Sequence, residues 1–336
     1  MKAFISSIAY YLPDFVLDNQ MLSKEHPEWE AEKISQKTGI YQRHIAAKDE
    51  FAGDMALQAA KKLFAENEIR PSSIDFILYC TQSPDYFLPT TACILQDKLG
   101  IPTTSGALDF NLGCSGYIYG LALAKGLLIS RIANRVLLIT SETYSKYIHA
   151  RDKSNKTIFG DAASATLISK DDGVYEIGEF SFGTDGRGAE NLMVKAGGTR
   201  FKDAKGLDVL DEGGFFVRND ENLFMNGPAI FSFTSSSVPK LVDQVIKANK
   251  LALNEIDYFL FHQANRYMLD FIRKKIGIAQ EKFIYYLENV GNTVSSTIPI
   301  ALKEECLDRQ KHGTILLAGF GVGYSWGGCT IKTVSK

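Results

Sequence analysis

An internal repeat is the feature that most constrains the fold of this chain. Residues 73–80 (SIDFILYC) and 255–262 (EIDYFLFH) are similar short apolar segments that lie 182 residues apart. Each follows a polar stretch typical of a helix, and each has the apolar, β-type composition of a buried parallel strand. The pair indicates that one strand position occurs twice in the fold.

A second pair of segments supports a duplication. Residues 111–114 (NLGC) and 289–292 (NVGN) lie 178 residues apart. Each begins a turn that is followed by an apolar helix, a loop and an apolar strand, predicted at 136–140 in the first case and at 315–318 in the second. Two similar offsets in the same order predict two β/α halves that share one core.

The boundary between the halves is predicted at the turn residues 171–173 (DDG). This gives an N-terminal half over 1–172, which carries the nucleophile candidate, and a C-terminal half over 173–336. Residues 183–222 are rich in Gly, Asp and Asn and show no sustained period, so they are predicted to form a long irregular loop. Loops of this length inside compact domains are often functional.

Composition and charge exclude several classes of protein. The 336 residues include 37 Lys plus Arg and 39 Asp plus Glu, for a net charge of −2, so the basic excess of a nucleic-acid binder is missing. No run approaches the roughly 18 apolar residues of a membrane span, and the first residues do not resemble a signal peptide. We therefore expect a cytoplasmic protein without a nucleic-acid or membrane partner.

One cysteine stands apart from the others. The chain has five, at irregular spacing and without a C-x-x-C pair, so neither disulfides nor a zinc site are predicted: Cys80, Cys93, Cys114, Cys306 and Cys329. Cys114 lies between Gly113 and Ser115-Gly116, at the start of a predicted helix. A helix N-terminus lowers the pKa of a thiol and favours a nucleophilic thiolate. The alternative is a buried cysteine packed beneath a glycine turn, and most of the other cysteines are expected to be buried small apolar residues.

A histidine, an asparagine and a glycine-rich segment are the other candidates for a site. His262 follows a predicted strand, where ligands bind in α/β sheets, although it is also compatible with a core histidine. Asn292 occupies the position in the second half that Cys114 has in the first, so a pseudo-twofold axis would bring both to one centre. Residues 319–328 (GFGVGYSWGG) lack the ending of a phosphate loop, and their N–H groups are suited to an oxyanion.

Together these motifs resemble the β-ketoacyl-acyl carrier protein synthase III family of the thiolase superfamily. The resemblance covers almost the whole chain, and its motifs occur in the family's order: 37–44 (KTGIYQRH), 114–116 (CSG), 158–161 (IFGD), 262–265 (HQAN), 291–293 (GNT) and 319–327 (GFGVGYSWG). The resemblance implies an α/β, thiolase-like, duplicated five-layered αβαβα fold. It also implies a homodimer.

The activity that the resemblance implies is an acyltransferase reaction. An acyl group on Cys114 condenses with malonyl-acyl carrier protein, with loss of carbon dioxide, to a β-ketoacyl product in fatty acid synthesis initiation or a related pathway. His262 and Asn292 would stabilise the enolate, and the N–H groups of Cys114 and Val322 would hold the oxyanion. The substrates are acyl-CoA or acyl-carrier protein and malonyl-carrier protein, and no metal or other cofactor is expected.

The chain departs from the family pattern near the substrate. The family usually has glycine where this chain has Val322. The valine keeps the backbone N–H but narrows the space beside it. Phe320 and Asn265 are expected in the substrate pocket, where Phe320 would gate the decarboxylation site. Leu88 would reach across the dimer into the partner's acyl pocket, and its size permits a larger or branched acyl group.

The basic patch for the carrier protein is altered as well. The family's key arginine is Tyr267 here, with Arg266 beside it. Arg273, Lys274 and Lys275 offer a basic face to an acidic carrier, and the alternative is a solvated helix face.

The donor entrance differs from the family in its adenine clamp. Lys33 and Lys153 stand where family members have a Trp and an Arg, and Trp29 lies one helical turn before Lys33. Two ammonium groups cannot sandwich an aromatic base. We therefore expect free acyl-CoA to be a poor primer, unless Trp29 folds back to the entrance.

Other functions remain compatible with parts of this pattern. Related enzymes of the same fold pass the acyl group to an oxygen or nitrogen acceptor in specialised or surface-glycan pathways. A cysteine peptidase also uses Cys, His and Asn, but the repeat and the glycine-rich segment argue against it. A non-catalytic partner subunit would not need an intact triad.

Overall fold

The computed structural model describes residues 2–204 and 207–334. The strands in this part of the chain are β1 (Phe4–Tyr11), β2 (Phe15–Asp18), β3 (Gln42–Ile45), β4 (Phe76–Cys80), β5 (Gly106–Phe110), β6 (Arg135–Glu142), β7 (Ala162–Ser169), β8 (Tyr175–Thr184), β9 (Leu192–Met193), β10 (Val209–Leu210), β11 (Phe216–Arg218), β12 (Phe224–Met225), β13 (Tyr258–Phe261), β14 (Thr314–Gly321) and β15 (Ser325–Thr333). The α-helices are α1 (Asn19–Glu25), α2 (Ala31–Thr38), α3 (Ala52–Glu66), α4 (Thr91–Lys98), α5 (Gly116–Ile129), α6 (Lys153–Lys156), α7 (Gly227–Ala248), α8 (Arg266–Ile276) and α9 (Thr297–Leu302).

The two halves build their sheets in the same order. In the first half the order is β5-β4-β6-β7-β1, with β4 parallel to β5 and β6 and with β7 antiparallel to both neighbours. In the second half β13-β14-β15-β8 repeats the last four positions, and a parallel bridge between Phe259 and Phe283 marks the fifth. The strand positions that the repeat predicted are confirmed, and so is the duplicated fold.

Helices complete five layers. α3 and α4 cover the outer face of the first sheet, and α7 and α8 cover the outer side of the second. α5 and α9 lie between the sheets and contact strands of both halves. Because most of α5 is covered by both sheets, its sequence GYIYGLALAKGLLI is apolar nearly all round rather than along one stripe. β7 and β14 are buried along their whole length for the same reason.

The two sheets join at one edge. β1 pairs with β8 through Phe4–Glu176 and Ile5–Tyr175, which makes a continuous nine-stranded sheet. The link between β7 and β8 spans residues 170–174, and we infer that the predicted boundary between 172 and 173 lies there. After β8 ends, the described residues of the segment 183–222 form a 3₁₀ helix (Gly186–Asn191) and the short strands β9, β10 and β11. No helix within the described ranges is long and apolar enough to cross a membrane.

Candidate active site

A cavity of about 940 Å³ opens where the two halves meet. Its wall includes Cys114 from the first half and His262 and Asn292 from the second. The fold thus brings together the three side chains that the sequence singled out from distant positions. Among residues 2–204 and 207–334, no group of three or more His, Cys, Asp or Glu side chains is arranged to hold a metal ion.

Cys114 lies in the turn between β5 and α5. The Gly116 N–H donates to the Gly113 carbonyl at 2.8 Å, which closes the turn just before the helix. The glycine-rich end of β14 packs directly against the sulfur, since a Cβ built on Gly321 would lie 3.0 Å from Cβ and 3.1 Å from Sγ of Cys114. Glycine at 321 therefore lets the backbone approach the candidate nucleophile.

Burial changes the expected acidity of this thiol. It raises the pKa of Cys114, and the nearby carboxyl group of Glu142 raises it further. The predicted lowering by the helix N-terminus is therefore wrong, because the sequence did not reveal how deeply the sulfur is buried. Glu142 is itself fully buried, and desolvation raises its pKa to about 8 despite hydrogen bonds from the Gln82 N–H and the Ser83 and Ser295 hydroxyls. The thiol needs a proton acceptor in order to react.

His262 is placed at the carboxyl end of β13, as predicted. Its backbone N–H donates to the Ala318 carbonyl at 2.8 Å, which extends the pairing with β14 by one residue. The side chain is buried, and its Nδ1 lies 2.8 Å from Thr297 Oγ1. Burial lowers the pKa of His262 to about 3, so the imidazole is neutral near pH 7. Nε2, on the opposite side of the ring, is the nitrogen left for the cavity.

Asn292 sits in a turn that ties the two halves together. Its N–H donates to the Ile158 carbonyl at 2.9 Å, and its carbonyl accepts from the Gly160 N–H at 3.0 Å. The preceding Gly291 has a φ of +70°, and a Cβ there would lie 2.8 Å from the Ile158 oxygen, so this turn requires glycine. The Asn292 Oδ1 accepts from the Val294 N–H at 2.9 Å.

Two other motif residues hold the scaffold rather than the cavity wall. Arg43 is fully buried and donates to Asn19 Oδ1 and to the Thr157 carbonyl, both at 2.8 Å. Asp161 is buried and accepts from the Ala46 N–H at 2.8 Å. These contacts fix the segment around residues 157–161 that pairs with Asn292.

Three lysines line the cavity at its entrance. Lys33 and Lys153 were expected there, whereas Lys37 was missed, because its place in the 37–44 motif gave no sign that it faces the cavity. Trp29 is only 2% exposed and stacks on His26 with ring centroids 3.9 Å apart. Trp29 lies beside the entrance, with Lys153 Nζ 6.0 Å from its ring centroid, but its burial leaves little ring surface for a ligand to stack on.

The structure separates the three predicted pocket residues. Phe320 and Asn265 line the cavity, and the Phe320 ring meets the His262 ring edge-on with centroids 5.7 Å apart. Leu88 is 82% exposed on the loop between β4 and α4 and is not part of this wall. Val322, which was predicted for the oxyanion hole, directly follows β14 and is not among the residues that line the cavity.

The predicted basic patch is smaller than the sequence indicated. Arg273 is mostly buried and donates to the Tyr285 hydroxyl at 3.2 Å, so it does not offer a free charge to a partner. Arg266 stacks over the Tyr285 ring at 3.8 Å. Lys274 and Lys275 are exposed at the C-terminal end of α8. The correction concerns Arg273, whose direction the helical pattern alone could not give.

Comparison with known proteins places this site in a family. The family model described as 3-oxoacyl-[acyl-carrier-protein (ACP)] synthase III matches residues 108–186, and the model of its C-terminal part matches residues 246–333. The beta-ketoacyl-[acyl-carrier-protein] synthase III of Streptococcus equi subsp. zooepidemicus is 36% identical over 98% of both chains. This chain belongs to the β-ketoacyl-acyl carrier protein synthase III family.

Solved structures of synthase III proteins have the same fold. A 2.1 Å crystal structure of a 3-oxoacyl-(acyl-carrier-protein) synthase III is 49% identical, with a TM-score of 0.95 over 99% of this chain and 100% of the other. The synthase from Burkholderia xenovorans LB400 is 33% identical, with a TM-score of 0.89 over 100% of this chain and 95% of the other. The thiolase-like five-layered fold is therefore confirmed. The synthase III family also agrees with the activity that the motifs predicted.

Proposed function

We propose that this synthase III homologue forms an acyl thioester on Cys114 and condenses it with malonyl-acyl carrier protein to a β-ketoacyl product. The observation that carries the proposal is the shared cavity, which sets a cysteine of one half against His262 and Asn292 of the other. Initiation of fatty acid synthesis is the role that the names of its relatives support. The cytoplasmic location remains a prediction from the sequence.

The first half-reaction loads the enzyme. Because burial raises the pKa of the Cys114 thiol, the neutral imidazole of His262 is the group suited to take its proton. The sulfur then attacks the carbonyl of the acyl donor, and the donor's thiolate leaves. The backbone N–H groups of Cys114 and Val322 stabilise the negative oxygen of the tetrahedral intermediate.

The second half-reaction makes the carbon–carbon bond. The Asn292 amide donates a hydrogen bond to the thioester oxygen of the malonyl group, and His262 lies beside it in the cavity wall. Carbon dioxide leaves, and the electron pair of the broken bond becomes an enolate. Phe320 puts an apolar ring beside this site, which disfavours the charged carboxylate and favours its loss. The enolate carbon attacks the acyl-Cys114 carbonyl and releases the thiolate.

Release of carbon dioxide separates this function from its nearest rival. An enzyme that passes the acyl group to an oxygen or nitrogen acceptor would not decarboxylate malonyl-carrier protein, and the names of the relatives do not favour that alternative. The experiment measures carbon dioxide formed from carboxyl-labelled malonyl-carrier protein with an acyl donor. Cys114→Ala should abolish product with the fold intact, whereas acyl transfer without labelled gas would refute the proposal.

We propose that an acyl group on a carrier protein, or an unusual acyl-CoA, is a better donor than ordinary acyl-CoA. Lys33, Lys37 and Lys153 at the entrance suit phosphate groups, and Trp29 is covered. Loss of a stacking clamp costs roughly 2- to 30-fold in affinity. The test compares kcat/KM for one acyl group on coenzyme A and on the cognate carrier. A strong preference for acetyl-CoA would contradict this proposal.

The carrier protein is proposed to dock beside the cavity on Arg266, Lys274 and Lys275. Lys274→Glu with Lys275→Glu should raise the KM for malonyl-carrier protein and leave that for malonyl-CoA unchanged, because only the carrier has an acidic surface. Lys61→Glu on α3, in the outer layer of the other half, is the matched control. If the Lys61→Glu control raised the KM for malonyl-carrier protein as much as the double variant does, Lys274 and Lys275 would not form a docking patch.

A homodimer is proposed from the loop that carries Leu88. Tyr86, Phe87 and Leu88 are 61%, 85% and 82% exposed, and such a run of large apolar side chains favours a partner surface. Light scattering should give twice the mass of the 37.2 kDa chain. Leu88→Asp should lower this mass or change acyl-chain preference, and a wild-type monomer would refute the dimer.

A further inference from the structure

A chain of hydrogen bonds links the two candidate donors behind the cavity wall. The Asn292 Oδ1 accepts from the Val294 N–H at 2.9 Å. On the other side of the same residue, the Val294 carbonyl accepts from the Thr297 hydroxyl at 3.0 Å. The Thr297 Oγ1 also lies 2.8 Å from Nδ1 of His262. Both Thr297 and His262 are buried, so water does not compete for these contacts.

Counting protons along this chain points to one tautomer of His262. A hydroxyl has one proton and two lone pairs, and Thr297 gives its proton to the Val294 carbonyl. Its oxygen is then an acceptor for the histidine, so Nδ1 carries a proton. A neutral imidazole has only one N–H, which leaves Nε2 with a lone pair.

We propose that Thr297 is a positioning residue that holds His262 in the Nδ1–H tautomer, so that Nε2 faces the cavity as a proton acceptor. This inference rests on the proposed function for its role in the reaction, but the tautomer itself is a property of the resting protein. A histidine with the opposite tautomer would present an N–H to the cavity and could not take the thiol proton.

The proton balance of a turnover follows from this arrangement. In acylation the S–H bond of Cys114 breaks, and its proton passes through Nε2 to the departing donor thiolate, which leaves as a thiol. His262 is then neutral again, as its low pKa requires, and the Asn292 amide donates to the enolate oxygen. When the enolate carbon displaces Cys114 from the acyl group, the Cys114 thiolate takes a proton from solvent. Throughout, Nδ1–H stays on Thr297 Oγ1.

The need for such an acceptor comes from the burial of the sulfur. Burial and Glu142 raise the pKa of the Cys114 thiol, so the helix N-terminus does not by itself supply a thiolate. An imidazole locked with its lone pair towards the cavity provides the missing base. Thr297 therefore acts through His262 and needs no contact with the substrate.

The test combines a spectroscopic readout with a matched set of variants. Nitrogen-15 NMR of histidine-labelled protein reports which nitrogen of His262 carries the proton, without any substrate. Thr297→Val removes the hydroxyl at constant shape, Thr297→Ser restores it, and Thr293→Val is the control. Thr293 is equally buried in the same turn, and its hydroxyl has no hydrogen-bond partner within the described part of the chain.

The expected result is an Nδ1–H tautomer in the wild type, in Thr297→Ser and in Thr293→Val. Thr297→Val should give a mixture or the Nε2–H tautomer, and its single-turnover acylation of Cys114 should slow by roughly 5- to 30-fold, with Thr297→Ser restoring most of the rate. These results would support the inference even if no malonyl decarboxylation were found, in which case the proposed function alone would fail. An Nε2–H tautomer in the wild type, or an unchanged tautomer in Thr297→Val, would overturn it.

Discussion

The side-chain Oδ1 of Asn292 accepts a hydrogen bond from the backbone N–H of Val294 at 2.9 Å. Only an oxygen can accept this bond, so the contact decides which way the amide is turned. The NH₂ group of Asn292 is therefore directed away from Val294, on a residue that lines the cavity. This orientation presents a donor where the thioester oxygen of the malonyl group is proposed to bind.

Asn292→Asp tests that donor at constant shape. The aspartate keeps an acceptor for Val294 but has no N–H for the enolate oxygen. Loss of one such donor costs about 10²- to 10³-fold in rate, and we expect malonyl decarboxylation to fall by that amount. The acylation burst on Cys114 should stay within about threefold, as judged by rapid quench. A burst lost in equal measure would show that Asn292 does not act on the enolate step.

Gly321→Ala tests the close approach of β14 to Cys114. The added methyl would lie 3.0 Å from Cβ and 3.1 Å from Sγ of Cys114, so one of them must shift. Overpacking of this kind costs on the order of 1–3 kcal/mol in the free energy of unfolding, and acylation should slow by about tenfold or more. Gly126→Ala on α5, where nothing lies within 4 Å of the new Cβ, is the control. Equal acylation rates in both variants would contradict the packing argument.

The structure changes the expected order in which the cysteines are alkylated. The sequence favours labelling of Cys114 by iodoacetamide before the other four cysteines. In the structure Cys93 is exposed and Cys114 is buried with a raised pKa. We now expect Cys93 to react first and Cys114 to be the one that an acyl donor protects. Peptide mapping in a Cys93→Ser background checks this, and acyl-donor protection of Cys306 instead would remove Cys114 as the nucleophile.

Glu142 should leave a signature in the pH dependence of stability. Its pKa rises from 4.5 to about 8 in the folded chain because of burial, so between these values the folded state holds a proton that the unfolded state releases. The stability that this bound proton contributes to the folded state is complete below about pH 4.5. It is lost as the pH rises to about 8, and the free energy of unfolding falls by up to ~1.4 kcal/mol per pH unit.

Glu142→Gln removes this titration at nearly constant shape. Denaturant unfolding between pH 5 and 8 should therefore show a shallower fall in the free energy of unfolding for the variant than for the wild type. The same slope in both proteins would mean that Glu142 keeps an ordinary pKa.

The repeat made most of the fold predictable. Its two strand segments became β4 and β13, at equivalent places in their sheets, and the turns at 111–114 and 289–292 both lead to the cavity. These features follow from local pattern and order along the chain. The pairing of β1 with β8 was not predicted, because register between distant edge strands leaves no periodic signal.

The side-chain environments were harder to predict. The raised pKa of Cys114 depends on burial between two halves, which no local pattern reports. Trp29 and Arg273 were assigned to surfaces from their spacing, yet one packs on His26 and the other reaches Tyr285. Thr297 could not be predicted as a positioning residue, because a threonine in a small-residue stretch is typical of an ordinary helix start.

The central claim is that the acyl group on Cys114 is transferred to carbon with loss of carbon dioxide. Intact-mass spectrometry tests it in a single turnover: load the enzyme with an acyl donor, remove the excess, and add malonyl-carrier protein. We predict that the acyl mass disappears from the enzyme, and that the carrier gains the acyl mass while losing the mass of carbon dioxide. An acyl-enzyme that persists in the presence of malonyl-carrier protein, or a carrier that gains the acyl group with its carboxylate retained, would contradict the account.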